Sequence, residues 1–398
     1  MSVKSAKKKT GYSEQQQLQL VKGGKPYFDC LLEMIDQSVH FFHLQTYIFD
    51  EDTTGMQVAS HLKQAAWRGV KVMVLVDGYA SQHLSKNFVT ELRQAGVRFR
   101  FFEPIFKRNH FYFGRRLHHK VAVADGHRAL VGGVNIADKY NDLPGQLSWL
   151  DFAVNIEGKL ARELCVVCWK TWKGFPVRTG RIPCGPPIAS VTSLEMQPLL
   201  ARMRRNDWVR AKNQISKSYI EMFSTAQNEV YLLCSYFLPG RILRRVMQLA
   251  LKRGVKINVI MAGLSDVPMA KHAERFLYDW MLRNNVQIYE YQQRVLHGKV
   301  ATCDSKWMTI GSYNVNNVSA YASIELNIDV LNETKAKELE SILKNIMETE
   351  CEQVTYEKHI RSKTWMVQLL RWASYELIRL IFYLFTFYFK QSKTAIRR

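Results

Sequence analysis

The chain lacks an apolar stretch long enough to cross a bilayer. Its longest predominantly apolar run, from Leu380 to Phe389, holds ten residues, of which only Thr386 is polar. A membrane-spanning helix needs about 20 predominantly apolar residues. Acidic residues are also scarce: 35 Asp and Glu stand against 56 Lys and Arg, which gives a formal net charge of +21. Such a surface attracts polyanions, either nucleic acid or an anionic membrane face, and charge alone does not separate the two.

Cysteine is sparse, and its seven residues form no repeated metal-ligand spacing. Cys165 and Cys168 have CxxC spacing, but no second pair completes a zinc site. Their segment, KLARELCVVCWKTW, has the pattern of a helix with one apolar face, so we expect a buried structural role for both. The odd number of cysteines and the opening MSVKSAKKKTGYSEQ, which has no apolar signal core, predict reduced thiols in the cytosol.

What the chain does contain is an internal repeat, and this decides the fold class. Helical segments alternate with short Val- and Ile-rich strands, and the same order occurs twice, ending in RLHHKVAVADGHRALVGGVN and in RVLHGKVATCDSKWMTIGSYN. This alternation predicts an α/β protein of two similar lobes, with mixed sheets flanked by helices. We place the first lobe at residues 1–180, a linker with several prolines at 181–207, the second lobe at 208–357 and a tail at 358–398.

A motif with identical spacing occurs once in each half. The first copy is His118-x-Lys120-(x)4-Asp125, followed by Gly132-Gly133-x-Asn135, and the second is His297-x-Lys299-(x)4-Asp304, followed by Gly311-Ser312-x-Asn314. Each residue of the first copy stands 179 positions before its match in the second. A lone His beside a Lys is usually structural, but duplication in register favours one active site built by both halves.

The residue types of this motif suit phosphodiester transfer. Side chains alternate along a strand, so His118 and Lys120 share one face while His119 points to the other as a structural residue. The second copy groups His297 with Lys299 in the same way. Phosphodiester transfer needs a nucleophile, a proton donor for the leaving alkoxide, and cations for the non-bridging oxygens. We therefore predict a transfer enzyme that uses no metal and no cofactor and proceeds through a phospho-histidine.

Further polar residues are candidates for supporting roles. Asn135 and Asn314 would bind the phosphoryl oxygens together with the two lysines. Each imidazole also needs a partner on its other nitrogen, and Asp151 and Glu325 are candidates, 26 residues after Asp125 and 21 after Asp304. The alternative is that both are exposed strand carboxylates.

The tail differs in composition from the two lobes. After residue 357 it carries nine basic residues against one acid, Glu376, around the segment WMVQLLRWASYELIRLIFYLFTFYF. Aromatic residues interleaved with cations are typical of a helix that lies on a membrane. We expect insertion by Trp365, Trp372, Phe382 and Phe385 and recruitment by Arg371, Arg379, Lys390, Arg397 and Arg398. The alternative is a helix packed on the protein's own core or on a dimer partner.

The duplicated HxK(x)4D motif resembles that of the phospholipase D superfamily, and the match runs from about Val39 to Val330. Within the superfamily, the segments QTYIFDEDTTG, AAWRGVKVMVLVDGYAS, HHKVAVADGHRALVGGVN and GSYNVNNVSAYASIELN are similar to bacterial cardiolipin synthases. The chain departs from many of these because it has no paired N-terminal transmembrane helices, which places it in the branch without them.

The resemblance implies a pseudo-twofold axis between the lobes, with both motifs facing one cleft. It implies that His118 is the nucleophile and His297 the general acid and base, whereas the residues alone leave the two histidines interchangeable. It further implies that the carboxylates cross between lobes, Glu325 to His118 and Asp151 to His297. Asp125 and Asp304 would brace the motif loops.

The sequence therefore predicts a peripheral enzyme at the cytoplasmic face of the bacterial inner membrane. It would transfer a phosphatidyl group onto phosphatidylglycerol to make cardiolipin, with anionic phospholipids as substrates and the membrane surface as the partner of the tail. Water is the competing acceptor. The alternatives are a phospholipase D-type hydrolase or nuclease with the same histidine pair, and an inactive membrane-binding scaffold. A nucleic-acid partner is disfavoured, because no base-stacking or groove-reading module occurs.

Overall fold

A computed structural model describes residues 11–395, except for 105, 108–109, 112–114, 175–183, 185–198, 208–209, 211, 266, 317–322 and 362–363. Only the backbone is described for 106–107, 110–111, 361 and 382–395. Most of the linker predicted at 181–207 lies outside the described residues, as do the side chains of Phe382, Phe385 and Lys390 and the whole of Arg397 and Arg398.

The first half folds around a seven-stranded mixed sheet with the order β1-β10-β9-β8-β2-β3-β4. Strands β2, β3 and β4 are parallel and are connected by helices, as the repeat predicts. The elements are β1 Ser13–Lys22, α1 Lys25–Gln37, β2 Phe41–Thr46, α2 Thr53–Trp67, β3 Lys71–Asp77, α3 Lys86–Gln94, β4 Arg98–Phe102, β5 Phe106–Lys107, β6 His110–Phe111, β7 Arg116–Leu117, β8 Lys120–Ala124, β9 Arg128–Gly132, β10 Phe152–Gly158 and α4 Lys159–Lys173.

The second half repeats this arrangement with the strand order β11-β18-β17-β16-β13-β14-β15-β19. Its elements are β11 Leu200–Asp207, β12 Lys212–Asn213, α5 Gln214–Thr225, β13 Glu229–Cys234, α6 Arg241–Lys252, β14 Lys256–Ala262, α7 Pro268–Arg283, β15 Gln287–Tyr291, β16 Lys299–Cys303, β17 Trp307–Gly311, β18 Ser323–Leu331, α8 Glu333–Thr349, β19 Cys351–Gln353, α9 Tyr356–Arg361 and α10 Trp365–Ala395. The predicted duplicated α/β fold with mixed sheets is confirmed.

The two lobes share one hydrophobic core. Apolar residues of β8–β10 and β16–β18 face each other there, and the apolar faces of α4 and α8 cover them. A separate core lies under α1–α3 in the first lobe, and another lies under α5–α7 in the second. Pairing of β1 with β11 and of β7 with β18 joins the sheets directly. The lobes are therefore one packed unit rather than two domains on a flexible linker.

Strand β11 falls inside the segment that the sequence predicts as linker. Its sequence, LARMRRND, carries three arginines and has no clear apolar alternation. The neighbouring elements supply the compensation: Arg202 Nε lies 3.0 Å from Asp329 of β18, and its Nη2 lies 2.7 Å from Glu221 of α5. Ion pairs with carboxylates that are distant in sequence thus allow this basic stretch to form a partly buried strand.

The cysteines differ from the expectation of reduced thiols. Cys165, on the buried face of α4, forms a disulfide with Cys184, whose Cα lies 5.9 Å away. Cys168 is buried and free, as expected. The sequence pattern predicts that Cys165 is buried, but it does not show that Cys184 of the following segment returns to α4.

The tail begins as a helix docked on the second lobe. Tyr375 stacks on Phe276 of α7 with ring centroids 4.8 Å apart, and Arg371 and Ser374 are buried on the same side. Arg371 is therefore not part of an exposed recruiting face, contrary to the expectation. The opposite side of the helix exposes an apolar stripe, defined as Met366, Leu369, Leu370, Leu377 and Leu380.

Within the described part of the chain, no helix combines the length and the apolar character that crossing a membrane requires.

Asp125 and Asp304 lie in the turns after β8 and β16 and tie each turn to a neighbouring strand. Asp125 accepts hydrogen bonds from the backbone N–H groups of Val39, His40 and Phe41, each at 2.8 Å. Asp304 accepts the equivalent three from residues 227–229, at 2.7–3.0 Å. Both aspartates have positive φ, 49° and 51°. Their carboxylates thus position the start of β2 and of β13.

Replacement of either aspartate by alanine should lower the free energy of unfolding by about 3 kcal/mol or more. Three charge-assisted hydrogen bonds are lost, and alanine is strained at positive φ. Denaturant unfolding measures the change. Asp29→Ala is a control, because Asp29 is exposed and its ion pair with Lys25 is exposed too, and it should cost less than about 1 kcal/mol. A variant of full stability that has lost turnover would contradict the bracing role and make the aspartate catalytic.

Candidate active site

The two histidine segments each dock on the strand of the other lobe that carries a candidate carboxylate. His118 N donates to Ile324 O at 3.1 Å, directly before Glu325. In the same way, His297 N and Gly298 N donate to Leu150 O, each at 2.8 Å, directly before Asp151. This crossed pairing fixes the backbone at both motifs, and it places each imidazole beside a carboxylate from the opposite half.

The first imidazole is held by Glu325. His118 Nδ1 lies 3.0 Å from Oε2 of Glu325, which is fully buried. Glu325 also accepts hydrogen bonds from Ser323 Oγ at 2.7 Å and from Ser312 Oγ. The ring of Tyr47 lies against His118 at 4.8 Å between centroids. With Nδ1 bound to the carboxylate, Nε2 is the nitrogen left for chemistry.

The second imidazole is held by Asp151. His297 Nδ1 lies 2.6 Å from Oδ2 of Asp151, and the other carboxylate oxygen accepts from the backbone N–H of Phe152 at 2.7 Å. The rings of Tyr140 and Trp149 lie 5.1 and 6.0 Å from the imidazole. Aromatic rings therefore surround His297. As in His118, Nδ1 contacts the carboxylate and Nε2 is the nitrogen left for chemistry.

The repeat is asymmetric where these carboxylates pack. Gly133 and Ser312 are equivalent positions, and a Cβ on Gly133 would lie 2.4 Å from Oδ1 of Asp151. Ser312 instead donates to the longer Glu325. The first lobe thus uses a short acid beside glycine, and the second uses a long acid beside serine. A serine at position 133 would therefore clash with Asp151.

Both lysines are buried beside the histidines. Lys120 and Lys299 are 2% and 1% exposed, and each ammonium donates to the carbonyl oxygen of its own motif histidine, from Lys120 at 2.6 Å. Burial lowers the pKa of Lys120 to about 7, and the charge of Lys299 adds to the shift although Glu325 opposes it. The two ammonium groups form a concentrated positive centre.

The asparagines differ in how they are anchored. Asn135 accepts a hydrogen bond from Ile48 N at 3.1 Å, on one side of Tyr47, and its buried Nδ2 has no hydrogen-bond partner among the described residues. In Asn314, by contrast, the buried atom without a hydrogen-bond partner among the described residues is Oδ1. Asn135 therefore keeps one amide donor unpaired among the described residues, as the predicted hydrogen bond to a phosphoryl oxygen requires.

The electrostatics of the site keep both histidines neutral and both carboxylates charged. Burial lowers the pKa of His118, and it lowers that of His297 to about 4. Burial alone would raise the pKa of Asp151 and Glu325, but the histidine that each one contacts holds its pKa below the usual range. A neutral imidazole with its Nδ1–H donated to a carboxylate has a lone pair on Nε2, as a nucleophile or a base requires.

His119, between the two motif residues of the first lobe, faces away from this site. It is buried, with Nε2 2.8 Å from Oε1 of Gln45. Its counterpart, Gly298, lies so close to Leu233 and Phe152 that a Cβ would come within 2.8 Å of the Leu233 side chain.

Two groups that position the site, Asp77 and Ser312, are not evident as such from the sequence. Asp77, at the end of β3, accepts from Leu117 N at 2.7 Å and lies 3.3 Å from Arg116, and so it orients the segment that leads to His118. Its position at the end of a buried strand is the sequence feature that could have identified it. For Ser312, the signal in the sequence is that serine replaces the second glycine of the Gly132-Gly133 pair in the second copy of the motif.

Three comparisons place this geometry among known proteins. A family model described as the PLD-like domain of cardiolipin synthase matches residues 31–154 and 219–347. The cardiolipin synthase B of Salmonella typhi is 34% identical over 362 residues, which cover 90% of this chain and 86% of that protein. The cardiolipin synthase B of Escherichia coli K12 is 32% identical over 361 residues, with the same coverage of both proteins.

Solved structures share the fold at low identity. The phosphatidylserine synthase of Haemophilus influenzae superposes with a TM-score of 0.71 at 13% identity, covering 93% of this chain and 96% of that one. The polyphosphate kinase of Porphyromonas gingivalis gives 0.60 at 16% identity, covering 93% of this chain and 54% of that one. Because the family model matches both halves and the Salmonella relative aligns with 90% of the chain, the protein belongs to the cardiolipin synthase family of phospholipase D-like proteins.

Proposed function

We propose that the protein is a cardiolipin synthase-type phosphatidyltransferase that works through a phospho-histidine. One observation carries this proposal: two imidazoles, each fixed at Nδ1 by a buried carboxylate of the opposite lobe, stand beside two buried lysines. A transferase needs one group that holds the phosphatidyl unit and another that moves protons, and this pair supplies both.

In the first step, Nε2 of His118 attacks the phosphorus of a phospholipid. A P–N bond forms while the P–O bond to the leaving alcohol breaks, and that oxygen takes a proton from Nε2 of His297. Glu325 stabilises the positive charge that develops on His118. Lys120, Lys299 and the Nδ2 group of Asn135 bind the non-bridging oxygens, where charge is stabilised in the transition state.

In the second step, His297 removes the proton from a primary hydroxyl of phosphatidylglycerol. The resulting oxygen attacks phosphorus, the P–N bond breaks and His118 is regenerated. Cardiolipin leaves as the product when phosphatidylglycerol is the acceptor. Water in the same position gives phosphatidic acid, which is the hydrolase alternative.

The order of the two histidines follows the resemblance, with His118 as nucleophile and His297 as acid and base. His297 must carry a proton to act first as the acid, and burial opposes this by lowering its pKa to about 4. The negative phosphodiester supplies the missing stabilisation, since a nearby anion favours the imidazolium form. Asp151, 2.6 Å from Nδ1, supports the same charge.

The tail would hold the cleft at the membrane. Its apolar stripe lies on the side of α10 opposite to the face that packs on α7, so it is available for insertion between lipid headgroups. We place the protein peripherally at the cytoplasmic face of the inner membrane, where anionic lipid attracts a basic surface. The Cys165–Cys184 disulfide is the feature that argues against this face, because such bonds are rare in the cytosol.

The proposal is tested by incubating the purified protein with vesicles that contain labelled phosphatidylglycerol. Wild type should form cardiolipin, and His118→Ala and His297→Ala should each lose at least about 1000-fold in turnover, because nucleophile and acid act as one unit. His297→Ala should retain acid-labile, base-stable label on His118. Phosphatidic acid as the only product would instead establish a hydrolase. Label on His297 in the His118 variant would reverse the assigned roles.

The pKa of Lys120 predicts a pH dependence of anion binding. The ammonium form exists below about pH 7, so inhibition by sulfate, whose charge is constant, should weaken as the pH rises from about 6 to about 9, by up to about tenfold per unit above the pKa. In the free enzyme, the lowered pKa of His297, about 4, leaves that histidine neutral over this range. Lys120→Arg, which keeps its charge, should flatten the profile. Sulfate inhibition independent of pH in wild type would contradict the shifted lysine.

The membrane role of the tail predicts that charge on the apolar stripe releases the protein. The triple variant Leu370→Glu, Leu377→Glu, Leu380→Glu should bind phosphatidylglycerol-containing vesicles at least about 100-fold more weakly in sedimentation assays, since each leucine contributes about 1.5 kcal/mol or more when buried. The control Val39→Glu, Trp67→Glu changes residues of the first lobe that are 65% and 69% exposed, and it should bind normally. Unchanged sedimentation of the triple variant would place the membrane contact elsewhere.

A further inference from the structure

Arg371 is a buried cation that forms no ion pair with the described residues. It lies on the docked face of α10 and is only 7% exposed. Its Nε and Nη1 atoms have no hydrogen-bond partner among the described residues. Burial, followed by the nearby charge of Arg275, lowers the pKa of its guanidinium. A buried charge in this condition is costly, which points to a compensating group that the described residues do not supply.

The acids around Arg371 are already engaged by other groups. Glu290 accepts from Arg275 at 3.1 and 3.2 Å and from Tyr278 Oη at 2.8 Å, and it also forms an ion pair with Lys271. Asp279 lies 3.2 Å from Nε2 of His359.

At the rim of this region, Glu352 pairs with Lys358 at 2.9 Å. Within the described part of the chain, these acids are therefore paired with other groups, and the charge of Arg371 is not neutralised by an ion pair.

Two adjoining cavities open onto this guanidinium. An inner one of about 180 Å³ is lined by Arg371, Arg275, His359, Lys358 and acids already paired. An outer one of about 460 Å³ shares Arg371, Arg275 and His359, and its other walls include Phe276, Trp365, Leu369 and Trp372. Trp365, Leu369 and Trp372 are 75%, 53% and 50% exposed. The space is thus cationic inside and apolar at its mouth.

We propose that this joint between the tail and the second lobe is a binding site for the phosphate headgroup of an anionic phospholipid. The phosphate would accept a hydrogen bond from one of the two unpaired groups, Nε–H or Nη1–H of Arg371, each of which forms a two-point fork together with Nη2. The acyl chains would leave past the two tryptophans toward the apolar stripe, which adjoins the mouth through Leu369. A lipid, rather than a free phosphate ion, matches the change from cationic to apolar lining.

This site is separate from the catalytic cleft and does not depend on the transferase activity proposed above. Glu290, which anchors its inner wall, lies on β15, three strands away from β16 and its Lys299. At about 4.8 Å per strand, the separation is about 14 Å. A bound lipid there would link α10, α7 and α9, and so would fix the tail helix to the lobe at the membrane surface.

The test is calorimetric titration of the full-length His118→Ala protein with dihexanoyl phosphatidic acid below its micelle concentration. Two classes of site are expected. Arg371→Met should remove one class, with a loss of affinity of about tenfold or more, while Lys120→Met should remove the other. Methionine replaces an unpaired buried charge with an apolar chain, so the variant should fold. In the same titration, inorganic phosphate should show no binding at the Arg371 site.

A surface variant tests the same site independently of Arg371. Leu369→Glu places an anion at the mouth and should weaken the Arg371 class by about tenfold or more. Leu377→Glu, two turns along the same exposed stripe, is the matched control and should bind as the parent does. A single class of site that only Lys120→Met removes would overturn the proposal. Equal binding of inorganic phosphate at the Arg371 site would overturn the assignment to a lipid.

Discussion

The site depends on one exchange between the lobes: each motif histidine receives its orienting carboxylate from the other half. The exchange starts in the backbone, where His118 N donates to the residue before Glu325 and His297 N donates to the residue before Asp151. The side chains follow, since both imidazoles use Nδ1 for the carboxylate. Neither lobe alone contains a histidine with its partner, so the catalytic unit exists only in the assembled pair.

This exchange also explains how so many charges can be buried together. Lys120, Lys299, Asp151 and Glu325 are each at most 2% exposed, and an isolated charge at such a position would cost several kcal/mol. Two cations and two anions compensate one another, and backbone groups and serines take up the remaining oxygens. The shared core under α4 and α8 excludes water from around the groups, which strengthens every interaction among them. The result is a rigid, preorganised site for an anionic substrate.

The fold was largely predictable because it follows from local patterns repeated twice. Strands and helices alternate with clear periodicity, and the repeat doubles the evidence for each. Three features were not predictable from local patterns, and each depends on a distant partner. Strand β11 needs Asp329 and Glu221 to offset its arginines, Cys165 needs the return of Cys184 to α4, and the burial of Arg371 needs α7 beneath the tail. Composition indicates a basic tail, but it does not say which cations face inward.

Local patterns in the chain are enough to identify the candidate residues. The spacing of 179 marks His118, Lys120, His297 and Lys299 as a set, and side-chain alternation along a strand predicts that each His shares a face with its Lys. The sequence also marked Asp151 and Glu325 as candidates, but their partners are 146 and 207 residues away in the chain. The folded chain sets which carboxylate meets which imidazole, which nitrogen each imidazole presents, and in which direction burial shifts each pKa. Hydrogen bonding and desolvation depend on what surrounds a side chain in space, and local sequence patterns do not contain that information.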